Sequence, residues 1–316
     1  MNTKGLRADV LLLMTALIWG LGFVAQHSGM EYIGPFSYNG IRFPLGALSL
    51  VPLMLYRRVT ITGMLPALLA GTCLFLAVSL QQLGMMVTTA GNAGFITGLY
   101  VIFVPIAGIL WGRKTGKATW IGAIFAAIGL YCISFSGGSS ALNPGDIIMV
   151  ISALFWTVHV LLIDHLMQKS HLDPIVLSAG QFAWCGLFSL LFAFIAEPLI
   201  PEWVVRFFPA QASTGLLQWT SLGDLLSSSQ SGEIIRGALI PVLYGGLGSV
   251  GIAYTLQVVA QRDAPPAHAT IILCLEGSFA ALGGIVILKE PVEAGTIVGF
   301  ILMLSGMIIS QRETIG

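Results

Sequence analysis

Long apolar stretches separated by short polar connections dominate this chain. A helix needs about 20 mostly apolar residues to cross a bilayer, and ten stretches approach or reach that length. The pattern predicts an all-α membrane protein with ten transmembrane helices. The first stretch has no small-residue cleavage site, so we expect it to remain as a helix. The predicted spans are 9–29, 36–56, 63–84, 91–112, 118–136, 146–166, 174–196, 234–258, 265–288 and 292–311.

Positive charges predict the orientation of these helices. If the N-terminus is inside, ten of the 14 Lys and Arg residues fall in inner segments, and Arg42, Arg206, Arg236 and Lys289 fall on the outer side. Cytoplasmic segments carry an excess of Lys and Arg, so both termini are expected in the cytoplasm. The one long connection, 197–233, is then an external loop with a short amphipathic piece at 203–208.

Composition excludes most other classes of protein. Hydrophobic residues make up 56% of the chain and charged residues only 9%, against about 25% charged in soluble domains. The net charge is zero, which argues against a nucleic-acid partner. The four cysteines are isolated in apolar runs and have no disulfide or zinc spacing. No ATP-binding motif is present, so no cofactor is expected and any transport must use gradients.

The chain contains a repeated unit, which we place at 9–136 and 146–311. Five helices in each unit is an odd number, so the second unit would cross the membrane in the opposite orientation. Secondary transporters use such inverted repeats, with the substrate site near the bilayer midplane. The matched positions are Asp9 with Asp146 and Trp19 with Trp156 (offset 137), Phe43 with Phe182 (139), and Ala77, Gln81 and Tyr100 with Ala253, Gln257 and Glu276 (176).

The repeated residues also resemble a known transporter family, the EamA family of the drug/metabolite transporter superfamily. The resemblance covers nearly the whole chain. It implies ten helices, cytoplasmic termini, a bacterial inner-membrane location and, commonly, export of amino acids or other small metabolites. The family often has Leu-Glu-Pro in the ninth helix, whereas this chain has Gly277 in place of the proline, so a proline kink is not expected there. The similar residues are Ala16–Trp19, Ala153–Trp156, Arg42–Phe43, Leu275–Glu276 and Lys289–Glu290.

Glu276 is the leading candidate for a substrate-binding residue. It lies at the middle of the predicted ninth helix, where a charged carboxylate costs about 2.5–3.5 kcal/mol on insertion scales. We therefore expect it to face the interior, where it would contact a substrate amine or carry a proton. The structural alternative is a protonated carboxyl that hydrogen-bonds to a neighbouring helix. His268 and Phe279 share its helical face at i−8 and i+3.

Aromatic residues near the midplane are further candidates. Tyr100, the repeat counterpart of Glu276, is expected to line the same cavity, with Phe103 on approximately the same side. Its alternative role is that of a core aromatic with a bonded hydroxyl. Trp19 and Trp156 also fall at mid-membrane, where they either wall an aromatic pocket or pack the contact between the repeats.

Two interpretations apply to each of the polar residues elsewhere in the spans. His159 either contacts substrate or relays a proton, or it is a neutral core histidine. Arg42 either pairs with a carboxylate or snorkels to the outer headgroups. The remaining polar side chains either support gating through hydrogen bonds or join helices; these are Gln81, Gln257, Gln181, His268 and Asn92.

These residues predict a function and leave alternatives. An aromatic cavity with both charge signs suits a zwitterion that has an apolar side chain. The leading hypothesis is a secondary transporter that exports a small metabolite, such as an amino acid, by alternating access. Its partners would be the substrate and the lipid bilayer, and it would act as a monomer or homodimer. The alternatives are a passive channel or lipid carrier and, less favoured, an intramembrane lipid-modifying enzyme, because HExxH, GxSxG and P-loop motifs are absent.

Overall fold

A computed structural model describes residues 3–86, 96–110, 112, 114–134, 144–169, 172–201, 220–223, 231–287 and 294–314. Within these ranges the chain is almost entirely helical, and β pairing is limited to an isolated bridge between Ile33 and Thr220. Ten helices can be followed in the described ranges. They are α1 (Thr3–Met30), α2 (Pro35–Arg57), α3 (Met64–Met85), α4 (Tyr100–Leu110, preceded by helical residues 96–98 and a turn at Leu99), α5 (Lys117–Ser134), α6 (Pro144–Lys169), α7 (Pro174–Ile195), α8 (Ser231–Leu243, Tyr244–Tyr254 and Thr255–Ala260), α9 (Pro266–Leu273 and Leu275–Ile287) and α10 (Ala294–Thr314).

The helices have the length and surface of membrane-spanning segments. Five of the described helices, α1, α3, α6, α7 and α8, are long and apolar enough to cross a membrane, and shorter apolar segments lie at 96–110, 117–132 and 297–310. Large apolar side chains such as Leu55 and Leu110 point outward and are 72% and 83% exposed. Such a surface is stable in contact with lipid tails rather than water. The prediction of an all-α membrane protein is confirmed.

Positions that the repeat aligns make equivalent contacts in the two halves. The Thr15 hydroxyl on α1 donates to the carbonyl of Ala253 on α8 at 3.2 Å. The Ser152 hydroxyl on α6 donates to the carbonyl of Ala77 on α3 at 2.8 Å. Thr15 and Ser152 are separated by the same offset as the two tryptophans, and the two alanines are also a matched pair. Each half thus joins its first helix to the third helix of the other half in the same way.

Small residues allow several helices to approach closely. A side-chain carbon added to Gly122 on α5 would lie 2.6 Å from the carbonyl oxygen of Gly306 on α10. One added to Gly20 on α1 would lie 2.7 Å from the carbonyl oxygen of Glu276. Lipid tails are as apolar as the helices, so the hydrophobic effect does not drive membrane helices together. They associate instead through close van der Waals packing of this kind. The contact at Gly20 holds α1 against the centre of α9.

The start of the predicted external loop is tied to the first turn of α2. The Glu197 carboxylate accepts a hydrogen bond from the backbone nitrogen of Ser37 at 2.7 Å and another from the Ser37 hydroxyl. Burial raises the pKa of Glu197 above its ordinary value, and the hydrogen bonds from Ser37 act in the opposite direction. The carbonyl of Thr220 accepts a hydrogen bond from the backbone nitrogen of Gly34, the residue just before α2. The predicted amphipathic piece at 203–208 lies outside the described residues.

Replacing Gly122 by alanine is expected to destabilise the fold. The added methyl group would meet a backbone carbonyl that cannot rotate away, so α5 and α10 must separate, at a cost of about 1–3 kcal/mol. The measurement is the melting temperature of the detergent-solubilised protein. Gly5→Ala is the matched control, since a carbon at Gly5 meets nothing within 4 Å. Equal melting temperatures for the two variants would contradict the close contact.

Candidate functional site

Two interrupted helices meet near the centre of the molecule. In α9 the helix breaks at Cys274, whose carbonyl accepts from the Gly277 nitrogen at 3.2 Å. In α4 a turn at Leu99 precedes the regular helix, and the Leu99 carbonyl accepts from Ile102 nitrogen at 2.9 Å. The breaks occur beside the matched positions Tyr100 and Glu276. The α9 helix is therefore interrupted next to Glu276 even though the proline is absent.

The Tyr100 hydroxyl donates a hydrogen bond to Glu276 Oε1 at 3.3 Å. Both side chains are buried, with exposed fractions of 4% and 7%. This hydrogen bond joins the first half of the chain to the second at two positions that the sequence comparison matched. The sequence-based expectation that Glu276 faces the interior agrees with this placement.

Both residues line a small central cavity. The cavity has a volume of about 30 Å³, which is room for about two waters. The lining comes from both halves of the chain and includes Phe23, Gln26, Arg42, Gln81, Thr97, Val160, Ser249, Gln257 and Leu273.

Three aromatic rings in mutual contact form one wall of the cavity. The ring centroids of Trp19 and Tyr254 lie 4.5 Å apart, and those of Trp156 and Tyr254 lie 6.0 Å apart with nearly parallel planes. The two tryptophans are 6.3 Å apart. They therefore wall the cavity and pack across the contact between the halves at the same time. Sequence comparison of the halves missed Tyr254, because the aligned residue in the first half is Val78.

Arg42 is buried in the interior beside this wall, with an exposed fraction of 2%. Its Nε donates to Asn39 Oδ1 at 2.9 Å, and its guanidinium carbon lies 5.1 Å and 5.0 Å from the ring centres of Tyr38 and Phe43. Across the described ranges, no carboxylate forms an ion pair with it. The position is that of a cavity residue rather than one that snorkels to the headgroups.

The cavity thus holds two groups of opposite charge type that do not pair with each other. Glu276 is bonded to a neutral phenol, and Arg42 is bonded to a neutral amide and lies over aromatic rings. A buried charge without a counter-charge is costly. A ligand that carries both a negative and a positive group would offset both costs.

An irregular backbone in α8 supplies a further polar contact. Residues Tyr244–Tyr254 form wide π-helical turns, which are frequent at functional sites. Trp19 Nε1 donates to the Ser249 carbonyl in this segment at 3.3 Å, and the Tyr244 hydroxyl donates to the Ile18 carbonyl at 2.8 Å. The π-helical segment of α8 therefore holds Trp19 in place through hydrogen bonds to two adjacent residues of α1.

The predicted polar residues divide between the cavity and the helix contacts. Gln81 and Gln257 both line the cavity, and Gln81 Oε1 accepts from Trp156 Nε1 at 3.1 Å. His159 is fully buried, and its Nε2 lies 2.9 Å from Gln181 Oε1 between α6 and α7. His159 and Gln181 do not line the cavity.

Three other predicted residues also lie away from the cavity, and one falls outside the described chain. Phe279 packs edge-on against Phe300, with ring centroids 6.3 Å apart, and Phe103 on α4 does not line the cavity. His268 lies between Ser310 Oγ at 2.7 Å and Asp9 Oδ1 at 2.8 Å. Asn92 is outside the described residues.

His268 belongs to a second and larger cavity of about 580 Å³ at the start of α9. Lys114, Thr119 and Pro105 line it together with His268. By the predicted orientation this end of α9 faces the cytoplasm. Among the residues that the structure describes, no group of three His, Cys, Asp or Glu side chains could hold a metal ion.

Comparison with known proteins gives a consistent family. An uncharacterized transporter of Archaeoglobus fulgidus is 27% identical over 98% of this chain and 88% of its own length. The uncharacterized inner membrane transporter YedA of Escherichia coli K12 is 28% identical over 44% of this chain and 47% of its own. A solved crystal structure superposes with a TM-score of 0.75 at 17% identity, over 96% of this chain and 98% of that one, and shows the same fold.

The family model of the EamA-like transporters matches twice, over residues 6–135 and 143–311. Together the two matches cover nearly all of the chain and agree with the resemblance found in the repeated residues. Because a model of one transporter family spans both halves, the chain is a multi-pass membrane transporter, and it belongs to the EamA-like transporter family.

Proposed function

We propose that this transporter is a secondary exporter of a small zwitterionic metabolite, such as an amino acid, and that it works by alternating access. The observation that carries the proposal is the presence of Arg42 and Glu276 in the lining of one central cavity without an ion pair between them. The two groups match the carboxylate and the ammonium of an amino acid. The aromatic wall between the halves suits the carbon atoms of such a ligand and attracts its cation.

Each charged end of the substrate would meet a prepared partner. The Arg42 guanidinium binds a carboxylate with strong charge-assisted hydrogen bonds, and its bond to Asn39 fixes its orientation. The Glu276 carboxyl accepts from the substrate ammonium while Tyr100 holds the other side of the group. Because both groups are buried, substrate binding would give the Arg42 cation a counter-charge and the Glu276 carboxyl a cationic partner.

Alternating access follows from the paired architecture. We place the five-helix repeats at 9–136 and 146–311, in opposite orientations, with the bacterial inner membrane as their location. The central cavity in this conformation has room for about two waters, and the interrupted helices beside Tyr100 and Glu276 provide places where the backbone can bend. Exchange of conformation between the halves would open the cavity to either side in turn.

One feature supports movement from the cytoplasm outward. The 580 Å³ cavity lies at the start of α9, on the side assigned to the cytoplasm, and gives a substrate a place to enter. Either a proton gradient or the substrate gradient would drive export, since Glu276 can carry a proton and the chain has no ATP motif.

Counterflow in proteoliposomes tests this function against a channel or a lipid carrier. Vesicles loaded with an unlabelled amino acid mixture should transiently accumulate labelled amino acid from outside, and the uptake should saturate. A channel gives no transient accumulation, because it does not exchange one molecule for another. Absence of counterflow with every amino acid would overturn the proposed substrate class.

Arg42→Gln is expected to lower amino acid counterflow by at least about tenfold. The substitution removes the cation that pairs with the substrate carboxylate, and truncating one member of a buried charge pair has a large effect. Arg262→Gln, at an exposed position, is the matched control and should transport at the rate of the unaltered protein. Equal rates for the two variants would remove Arg42 from the site.

Glu276→Gln is expected to lower the same rate by a similar factor, about tenfold or more. Glutamine keeps the shape and can still accept from Tyr100, but it has no charge for the ammonium and cannot carry a proton. The matched control is Glu31→Gln, which alters an exposed glutamate at the end of α1. Transport by Glu276→Gln at the unaltered rate would show that the carboxyl has only a structural role.

A further inference from the structure

The two matched glutamines that line the cavity differ in their hydrogen bonds. Gln81 Oε1 accepts a hydrogen bond from Trp156 at 3.1 Å. Gln257, its counterpart, is fully buried, and within the described part of the chain neither its Oε1 nor its Nε2 has a hydrogen-bond partner. A buried amide without partners is unusual, because the cost of removing it from water is not recovered.

The backbone of α8 explains this difference. Trp19 is the counterpart of Trp156 and would be the partner of Gln257 if the halves were identical. In this conformation Trp19 Nε1 donates instead to the Ser249 carbonyl, which lies in the π-helical turns of α8. The amide of Gln257 is therefore left with one free acceptor and one free donor group at the cavity.

A second open polar group lies on the same cavity. The Thr97 hydroxyl has no hydrogen-bond partner among the residues that the structure describes, and the residue is 3% exposed. Thr97 comes from the helical residues just before the break at Leu99, whereas Gln257 comes from α8, so the two groups approach the cavity from different halves of the chain. A hydroxyl and an amide together can both donate to and accept from one small polar group.

We propose that Gln257, together with Thr97, binds a polar group on the side chain of the substrate and makes the site selective for hydroxyl- or amide-bearing side chains. The inference rests on the proposed function, in which Arg42 and Glu276 hold the two charged ends of an amino acid. It changes the expectation of an apolar side chain, which the sequence suggested because aromatic residues dominate the predicted wall. A site with buried polar groups rejects a ligand that leaves them unpaired.

Gln82 provides an internal comparison. Its amide is also fully buried and without partners, but the residue does not line the cavity. An open amide by itself therefore does not identify a binding residue. The position on the cavity does, so the substitution that tests Gln257 can be made at Gln82 as a control.

Counterflow of threonine and valine tests the proposal, because the two amino acids have nearly the same size and differ by a hydroxyl. We expect the unaltered protein to transport threonine about tenfold better than valine, the effect of about one lost hydrogen bond in a buried site. Gln257→Met should reduce this ratio several-fold towards one. Thr97→Val removes the other open group at constant size and should lower the ratio independently, which keeps the test decisive if Gln257→Met does not fold.

The control and the overturning results are distinct. Gln82→Met should leave the ratio unchanged, and an equal fall in the ratio for Gln82→Met and Gln257→Met would overturn the proposal. So would transport by both Gln257→Met and Thr97→Val with the ratio of the unaltered protein, which would leave the proposed transport of amino acids intact. Failure of the unaltered protein to transport any amino acid would overturn the proposed function together with this inference.

Discussion

The arrangement of this protein depends on keeping two groups of opposite charge type apart inside an apolar protein. Arg42 and Glu276 are almost fully buried and line one cavity. If they paired with each other, the cavity would be neutral and would have little affinity for a zwitterion. Each is held by neutral neighbours, an amide and aromatic rings in one case and a phenol in the other. The unpaired charged groups do not stabilise the fold, so the close packing of the helices must offset their cost.

The irregular backbone of the molecule is concentrated where that separation is maintained. The α9 helix is interrupted at Cys274 and α4 begins regularly only after Leu99, while α8 widens into π-helical turns over Tyr244–Tyr254. Irregular backbone at membrane depth is tolerated only inside protein or beside a cavity. In α8 it offers the carbonyl that holds Trp19. The same local departures from ideal helix thus shape the cavity and provide points of bending.

Much of the fold could be predicted from the sequence because spanning length and apolar composition are properties of single segments. The helix bounds agree with the predicted stretches within a few residues over the described ranges. The matched positions also indicated residues that belong to one site, since Tyr100 and Glu276 line the same cavity and are hydrogen-bonded, and Trp19 contacts Trp156. That the members of each pair contact each other was not predicted from the sequence.

The rest of the site could not be predicted because membrane helices that are apolar all round give no signal of their rotation. His159 could face the cavity or another helix, and only the position of Gln181 on α7 decides between them. Tyr254 and Ser249 enter the cavity because the π-helical turns rotate their part of α8, and nothing in a repeat comparison indicates such a rotation. Both failures concern orientation about a helix axis rather than the existence of the helix.

The differences between the halves carry information that their similarity does not. Thr15 with Ala253 and Ser152 with Ala77 make the same contact in both halves, so an exchange of conformation would leave these contacts in place. Trp19 and Trp156 have different acceptors, so under the proposed exchange Trp19 would pass to Gln257 and Gln81 would become the open amide. Each half would then present its glutamine to the cavity in one state only. A single cavity could in this way hold its ligand differently on the two sides of the membrane, which a transporter needs in order to load at one face and release at the other.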